Sequence, residues 1–361
     1  MKIYKVIGLM SGTSLDGLDL AYCHIWNTSE KWEYKIIKTK SIPYKKTVKN
    51  QLKNVLTLNA IDLLELHYSY GTWLGKKTKK FIKEENLEVD FIASHGHTTH
   101  HQPKKGFSFQ IGSGQHLANA SACKVVCDFR TNDIALGGQG APLVPIGDKL
   151  LFSEYDFCLN LGGISNISFE KNEQRIAYDI GLANMILNYI TQKIDLSYDK
   201  DGDLARKGKL KKKFLKELNS LKYYKKSAPK STGCEWFLKK VIPIIENTKA
   251  STETLLHTAV HHICEQIAIE INAHKTKEKN TLLVTGGGAL NTFLIKILQE
   301  KVAATTEVII PSTQLIEFKE ALIFSFMGVL RINEQNNCLA SVTGAQRDCY
   351  GGVVYLPSLI D

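Results

Sequence analysis

Three glycine-bearing stretches and one aspartate hold the residues whose types and spacing could do chemistry. The first stretch runs Ile7-Gly-Leu-Met-Ser-Gly-Thr-Ser-Leu-Asp-Gly-Leu-Asp19. Gly12 and Gly17 let backbone N–H groups approach an anion with no Cβ in the way. Thr13 and Ser14 add hydroxyl donors. A carboxylate beside a phosphate repels it unless a divalent cation lies between them, so Asp16 predicts magnesium together with a nucleotide. Gly12 and Gly17 have the gap of a P-loop, but Leu18-Asp19 stand where that loop needs Lys-Ser/Thr, and a strand pattern follows where a helix is required. The dinucleotide-binding glycine pattern fails for the same reason. An ordinary glycine-bearing hairpin competes evenly with the phosphate cradle at this point.

The second stretch, Gly162-Gly163-Ile-Ser-Asn166, again separates two apolar runs, Phe157–Leu161 and Ile167–Glu170. The third, Gly286-Gly287-Gly288-Ala-Leu-Asn291, follows the strand pattern Thr281–Val284 and precedes a helical one. Three glycines give a flat surface free of side chains, suited to an adenine ring or ribose, while a helix N-terminus favours phosphate. Asp179, in Ala177-Tyr-Asp-Ile-Gly181, sits where a short strand gives way to helical periodicity. It is either an N-cap or a general base on the floor of a cleft.

Two further clusters are polar enough to meet a ligand. Ser94-His95-Gly96-His97-Thr98, with His100 and His101, reads as a histidine-rich loop after the strand Val89–Ala93. Hydrogen bonding to a substrate or phosphate ranks first and surface histidines second. Metal binding ranks last, because no cysteine or carboxylate accompanies them. Asp128-Phe-Arg130-Thr-Asn-Asp133 ends another strand and leads into the irregular loop Gly137–Pro145. Such a place suits a polar ligand; a structural ion pair of Arg130 is an equal reading.

The elements that must position these groups follow from hydrophobic period. Tyr4–Met10, Asp19–Trp26 and Tyr34–Thr39 read as strands, and Ala60–Glu84 as a helix with lysine-rich outer positions. Phe107–Ile111 and Lys124–Asp128 are strands, with a short helix at Gln115–Ala122 between them. Helices are expected at Leu182–Lys193, Thr252–His274 and Ala321–Ile332, with Glu317 and Glu320 at the start of the last. Ser341–Ala345 and Gly351–Leu356 finish the chain as strand and turn. The strand–turn–strand pattern recurs about 150 residues apart, which predicts a duplicated domain with facing loops.

Composition bounds the function. The chain has 361 residues, enough for about two domains, and a formal charge of +10. Much of the excess falls in Lys200–Lys230, where a solvated helix face or a mobile insertion accounts for it. No aromatic-studded basic motif accompanies it, so no nucleic acid partner is expected. The longest apolar run, Ala321–Leu330, is too short for a bilayer, and the N-terminus has no signal-peptide pattern. A cytoplasmic protein with no membrane partner is expected. The eight cysteines read as reduced, buried thiols.

Together the glycine stretches resemble the phosphate-1, phosphate-2 and adenosine motifs of the actin/Hsp70/sugar-kinase superfamily, at Gly12–Asp19, Leu161–Asn166 and Gly286–Asn291. The resemblance narrows further. Gly8–Gly17, Ser94-His-Gly96, Asp128-Phe-Arg130, Gly137-Gly-Gln-Gly-Ala-Pro-Leu-Val-Pro145, Asn160-Leu-Gly-Gly163 and Lys230-Ser-Thr-Gly233 are similar to the anhydro-N-acetylmuramic acid kinase family. So are Val284–Gly288, Glu320-Ala321 and Val342–Ala345, so the likeness spans nearly the whole chain.

The resemblance implies an α/β fold of two ribonuclease-H-like (actin-like ATPase) lobes, with mixed sheets flanked by helices and an interlobe ATP cleft. The lobes are expected at 1–125 plus 343–361 and at 126–342. It implies ATP and Mg2+ held by Ser11, Gly12, Thr13, Ser14, Asp16, Gly17, Asp19, Gly162, Gly163, Asn166, Gly286, Gly287, Gly288 and Asn291, with Asp16 at the metal. Asp179 matches the catalytic base. His95, Gly96, Arg130, Asp133, Gln139 and Glu320 match the substrate shell for a small anhydro amino sugar. The implied reaction opens the 1,6-anhydro ring and phosphorylates O6, giving N-acetylmuramic acid 6-phosphate for cell-wall recycling. A kinase for another amino sugar and a non-enzymatic nucleotide-gated clamp are the alternatives, and a homodimer is left open. Three positions depart from the family pattern: His97 where Gln is frequent, Cys234 where Arg is usual, and Glu317 where Asp is usual. The stretch Thr313–Phe318, read as a loop, also lacks an expected glycine. These departures bear on which sugar is taken, since an arginine fork binds oxyanions in a way a thiol does not.

Overall fold

The computed structural model describes residues 2–12, 15–29 and 31–358. Thr13 and Ser14 lie outside the described residues. In chain order the strands are β1 Ile3–Ser11, β2 Gly17–Asn27, β3 Trp32–Pro43, β4 Phe91–Gln102, β5 Phe107–Ile111 and β6 Val125–Cys127. They continue with β7 Phe157–Leu161, β8 Ile164–Lys171, β9 Gln174–Leu182, β10 Asn280–Thr285, β11 Thr306–Ile309 and β12 Val353–Tyr355. The chain divides into two compact units, Met1–Leu151 with Phe318–Asp361, and Phe152–Glu317.

The first unit is built on the sheet order β12-β6-β4-β1-β2-β3, with β5 on β4. β1 and β2 form an antiparallel hairpin, and β1 pairs in parallel with β4. A central strand of this kind is covered on both faces, so β1 reads as a nearly continuous apolar run in which Val6, Ile7 and Leu9 are buried. Gly8 is the gap in that run. A Cβ there would lie 1.9 Å from the Ala321 carbonyl oxygen, so only glycine lets the helix Thr313–Ile332 pack this closely. The helix Ala60–Glu84 buries Leu66, Tyr70, Leu74 and Phe81 along one stripe and is capped by the Asn59 side chain, which accepts from the Asp62 amide.

The second unit repeats the plan. Its order is β11-β10-β7-β8-β9, with β7, β8 and β9 antiparallel and β7, β10 and β11 parallel. Numbered within each unit, both sheets run third–second–first–fourth–fifth strand, with β5 and β12 as additions in the first. The duplication expected from the two hairpins is therefore present. The long helix Thr252–His274, capped by Ser251, covers this sheet with Leu256, Ala259, Val260, Ile263, Ile267 and Ile271.

Several expectations need correcting. The domain boundaries fall at Leu151/Phe152 and Glu317/Phe318, not at 125/126 and 342/343, so Arg130, Asp133 and Glu320 belong to the first unit. The histidine segment is not a loop. β4 runs through it to Gln102, because β1 and β5 continue the ladder on either side of His97. Asp179 is no N-cap: β9 continues to Leu182, and the position before the helix Asn184–Gln192 is Ala183. The triple glycine leads into a 3₁₀ turn, Gly287–Leu290, before the helix Thr292–Val302 begins. Thr313–Phe318 is helical, and Ala340–Thr343 is a short helix where a strand was expected. The basic segment is a folded, solvated face: its helix Lys212–Asn219 buries Phe214 and Leu218.

Candidate active site

Asp179 has the most informative surroundings. Along β8 and β9, Asn166 pairs with Asp179 and Ser165 with Gly181, so Ile180 is an extra residue, a β-bulge beside the aspartate. Bulges re-aim a neighbouring side chain. The half-buried Asp179 is held at three atoms. Its amide donates to the Lys230 carbonyl at 3.1 Å, its carbonyl accepts from the Tyr223 hydroxyl at 2.7 Å, and Oδ2 accepts from the Thr232 amide at 3.0 Å. Burial raises the carboxyl above the usual aspartate range, and the Thr232 amide opposes that rise. Oδ1 has no hydrogen-bond partner among the described residues, and neither has the buried Thr232 hydroxyl. One fixed oxygen and one unspent oxygen of raised basicity suit a proton acceptor.

The glycine turns of the same unit divide their labour. The Gly163 carbonyl accepts from the Ala183 and Met185 amides and the Gly162 carbonyl from the Asn184 amide, which ties the β7–β8 turn to the start of the helix Asn184–Gln192. The N–H groups of the turn remain the atoms available to an anion. Gly286 has φ +78°, and a Cβ there would meet Asn160 Oδ1 at 2.6 Å. Gly288 packs as closely on Leu161, whereas Gly287 is exposed and presents bare backbone. Asn291 caps the helix Thr292–Val302 by accepting from the Leu294 amide, so its side chain shapes this surface from behind. Asn166 is half-buried, paired with Asp179 across the ladder.

In the first unit, Gly17 opens β2 against β3, where a Cβ would lie 2.6 Å from the Ile42 carbonyl oxygen. Asp16 is exposed at the end of this turn, and Asp19 accepts from the Ser41 hydroxyl at 2.5 Å. Gly12 is half-buried, its carbonyl accepting from the Leu15 amide. Ser11 is buried, with its hydroxyl bonded to Tyr44 at 2.6 Å and to His97 Nδ1 at 2.8 Å. The departure at His97 thus has a structural partner. Burial lowers the His97 pKa, so the ring sits neutral in this chain of hydroxyls.

β4 also brings His95 to Arg130. His95 Nδ1 donates to the Gly96 carbonyl, which leaves Nε2 to accept from Arg130 Nη2 at 2.7 Å. Burial and the adjacent guanidinium hold His95 well below its ordinary pKa, hence neutral. Arg130 Nη1 donates to the Gly140 carbonyl at 2.5 Å, while its buried Nε has no acceptor among the described residues. Burial brings the guanidinium down to about 10, still cationic at neutral pH. Asp133 is fully buried: Oδ2 accepts from the Gly140 amide at 2.7 Å and Oδ1 from the Thr343 hydroxyl at 2.6 Å. It holds the loop Gly137–Pro145 in place. Gln139 is exposed on that loop, its amide bonded to the Thr343 carbonyl. Glu320 is exposed, with its carboxyl raised by surrounding protein against the opposing charges of Lys319 and Arg130. The histidines of β4 do not converge. The group of three metal-ligating side chains found among the described residues is instead Asp133, Cys338 and Cys349, all buried.

Sequence reasoning missed Tyr223, Thr232 and Glu270 of the second unit. Only Lys230-Ser-Thr-Gly233 carried a signal, as a motif with no assigned partner.

Two α/β units of one strand order, with glycine turns at the strand ends, define a protein of the duplicated α/β class. The model of the family described as anhydro-N-acetylmuramic acid kinase matches residues 4–357. The chain belongs to that family. Relatives of that name from Sulfurimonas denitrificans and Francisella tularensis subsp. novicida are each 34% identical, covering 97% and 96% of this chain and 98% and 97% of their own. One from Bacillus thuringiensis is 30% identical, covering 99% and 100%. The family is one of kinases, phosphotransferases with an alcohol acceptor. Among solved structures, an activator of 2-hydroxyisocaproyl-CoA dehydratase from Clostridium difficile aligns over 91% of this chain and 97% of its own at 12% identity and a TM-score of 0.44, too remote to argue from. No helix of the described residues is long and apolar enough to cross a membrane.

Proposed function

We propose that the protein uses ATP to open 1,6-anhydro-N-acetylmuramic acid and phosphorylate its O6, yielding N-acetylmuramic acid 6-phosphate and ADP. The observation that carries this reading is the half-buried Asp179, with Oδ2 fixed by the Thr232 amide and Oδ1 unspent. Water attacks C1 of the anhydro sugar and gives its proton to Asp179. The C1–O6 bond breaks, and the released O6 takes the γ-phosphoryl group, so water supplies the new hydroxyl at C1. Positioning and charge neutralisation are the main demands of such a transfer.

The nucleotide falls to the bare backbone at Gly162, Gly163 and Gly286–Gly288 and to the β1–β2 turn. His95, Arg130 and Gln139 are assigned to the sugar. Arg130 Nε is the unspent donor of that group, and Asp133 supports it from below. Asp16 offers an exposed carboxylate oxygen of the hard type that magnesium takes beside phosphates, so the donor set fits the ion. When bound, magnesium would neutralise phosphoryl charge. A cytoplasmic place is part of the reading, consistent with eight free thiols.

The test mixes protein, ATP, magnesium and the anhydro sugar and follows products by mass spectrometry, beside a panel of other amino sugars. The expected product gains both water and a phosphoryl group. A phosphorylated sugar that keeps its anhydro ring would overturn the ring-opening step, and turnover of a different sugar alone would overturn the substrate.

A further inference from the structure

We infer that Lys230 and Glu270 form a buried clamp that positions Asp179, an inference that rests on reading Asp179 as the base. Glu270 sits near the end of the helix Thr252–His274. Its Oε2 accepts from the Tyr178 hydroxyl at 2.7 Å, and its Oε1 meets Lys230 Nζ at 2.6 Å. The Lys230 side chain is 3% exposed, and its ammonium lies over the rings of Tyr178 and Tyr223, 5.6 and 5.7 Å from their centroids. A buried ammonium cannot wander from its carboxylate, because leaving the pair exposes each charge to an apolar interior.

The consequence passes along the main chain. With its side chain tethered, Lys230 presents its carbonyl to the Asp179 amide, and Thr232, two residues on, presents its amide to Asp179 Oδ2. Tyr223, whose ring flanks the ammonium, donates to the Asp179 carbonyl. Each restraint on the aspartate therefore leads back to one ion pair. Stability alone does not account for such a pair, since apolar side chains of similar volume would pack there at least as well. Position does, because an error of about 1 Å in a catalytic group costs roughly 10²-fold in rate.

The titratable groups packed around Asp179 and its clamp are Tyr223 from the turn Lys222–Lys225, Lys230, Tyr178 on β9, and Glu270 and His274 on the helix, with His274 3.9 Å from Glu270. The experiment compares Lys230→Met, Glu270→Gln and Asp179→Asn in the full chain. Melting temperature, ATP binding, kcat, KM for each substrate and the pH profile of kcat are measured for each. Lys230→Met is expected to lower kcat roughly 10²-fold, with KM for ATP within about twofold. The acidic limb of kcat moves to higher pH, because Oδ2 loses its fixed donor. Glu270→Gln, which keeps the shape and the Tyr178 bond, gives a smaller loss and serves if Lys230→Met does not fold. A folded variant of either kind with the parent's kcat and acidic limb overturns the clamp. So does a loss of rate that only tracks the folded fraction, with the limb unmoved. If Asp179→Asn itself keeps full turnover, the underlying assignment of the base fails instead.

Discussion

Asp133 and Asp179 are both acids that the sequence marks as chemical, yet the fold holds them in opposite ways. Asp133 has no exposed surface, and both of its oxygens accept short hydrogen bonds from its own unit, the Gly140 amide and the Thr343 hydroxyl. Asp179 is half-buried, with one oxygen tied and the other idle. Both Asp133 oxygens are spent on fixed donors, which ties the side chain to its own loop. A carboxylate that is partly dehydrated and only half satisfied keeps its appetite for a proton. Burial is common to both; the number of donors separates them.

Substitution tests this contrast. Asp179→Asn should cost the most turnover, about 10²–10⁴-fold in kcat, with ATP binding and the fold retained, as read by titration and circular dichroism. Asp133→Asn should act first on stability, because an amide nitrogen then faces a donor where an oxygen was. We expect a loss of about 1–3 kcal/mol in urea unfolding, with weaker sugar affinity as the loop Gly137–Pro145 loosens. Thr343→Val removes one donor to Asp133 and should cost about 1 kcal/mol by the same measurement, with kcat little changed.

The smallest effect concerns pH and belongs to Asp179. The Asp179 carboxyl is raised in the folded state, so the stability it contributes is fully present below the usual aspartate pKa of about 3.9 and is lost as pH rises through the folded value. Ionised Asp179 is therefore a burden at neutral pH. Asp179→Asn should melt slightly higher than the parent at pH 7, and the gap should close on acidification. A lower melting temperature at pH 7 would break the comparison.

Much of the scaffold could be read in advance where one element carries its own pattern. Ala60–Glu84 and Thr252–His274 have several turns of apolar period and side-chain caps, and both are found over those residues. β4 was cut short because Ser94–His101 is polar, and polar residues enter a strand here only because β1 and β5 pair with it. The glycine turns, Asp179 and Arg130 were visible as residue types. The environment of Asp179 was not, because Lys230 and Glu270 lie about 50 and 90 residues downstream, and nothing local joins them to it. The hydrogen bonds of Asp133 to Gly140 and Thr343 are illegible in the sequence on the same ground. An acid after a strand looks alike whether its partners are ligands or its own chain.

The extra residue at Ile180 has one further consequence. A strand counts in twos, odd positions to one side and even positions to the other, and a bulge absorbs its extra residue so that the pairs on both sides of it stay in register. Removing Ile180 would let β8 and β9 pair without interruption, with Tyr178 still opposite Ile167 and Asp179 still opposite Asn166, and would take away the local bend that re-aims the aspartate. One extra residue thus sets the angle at which the acid leaves its strand.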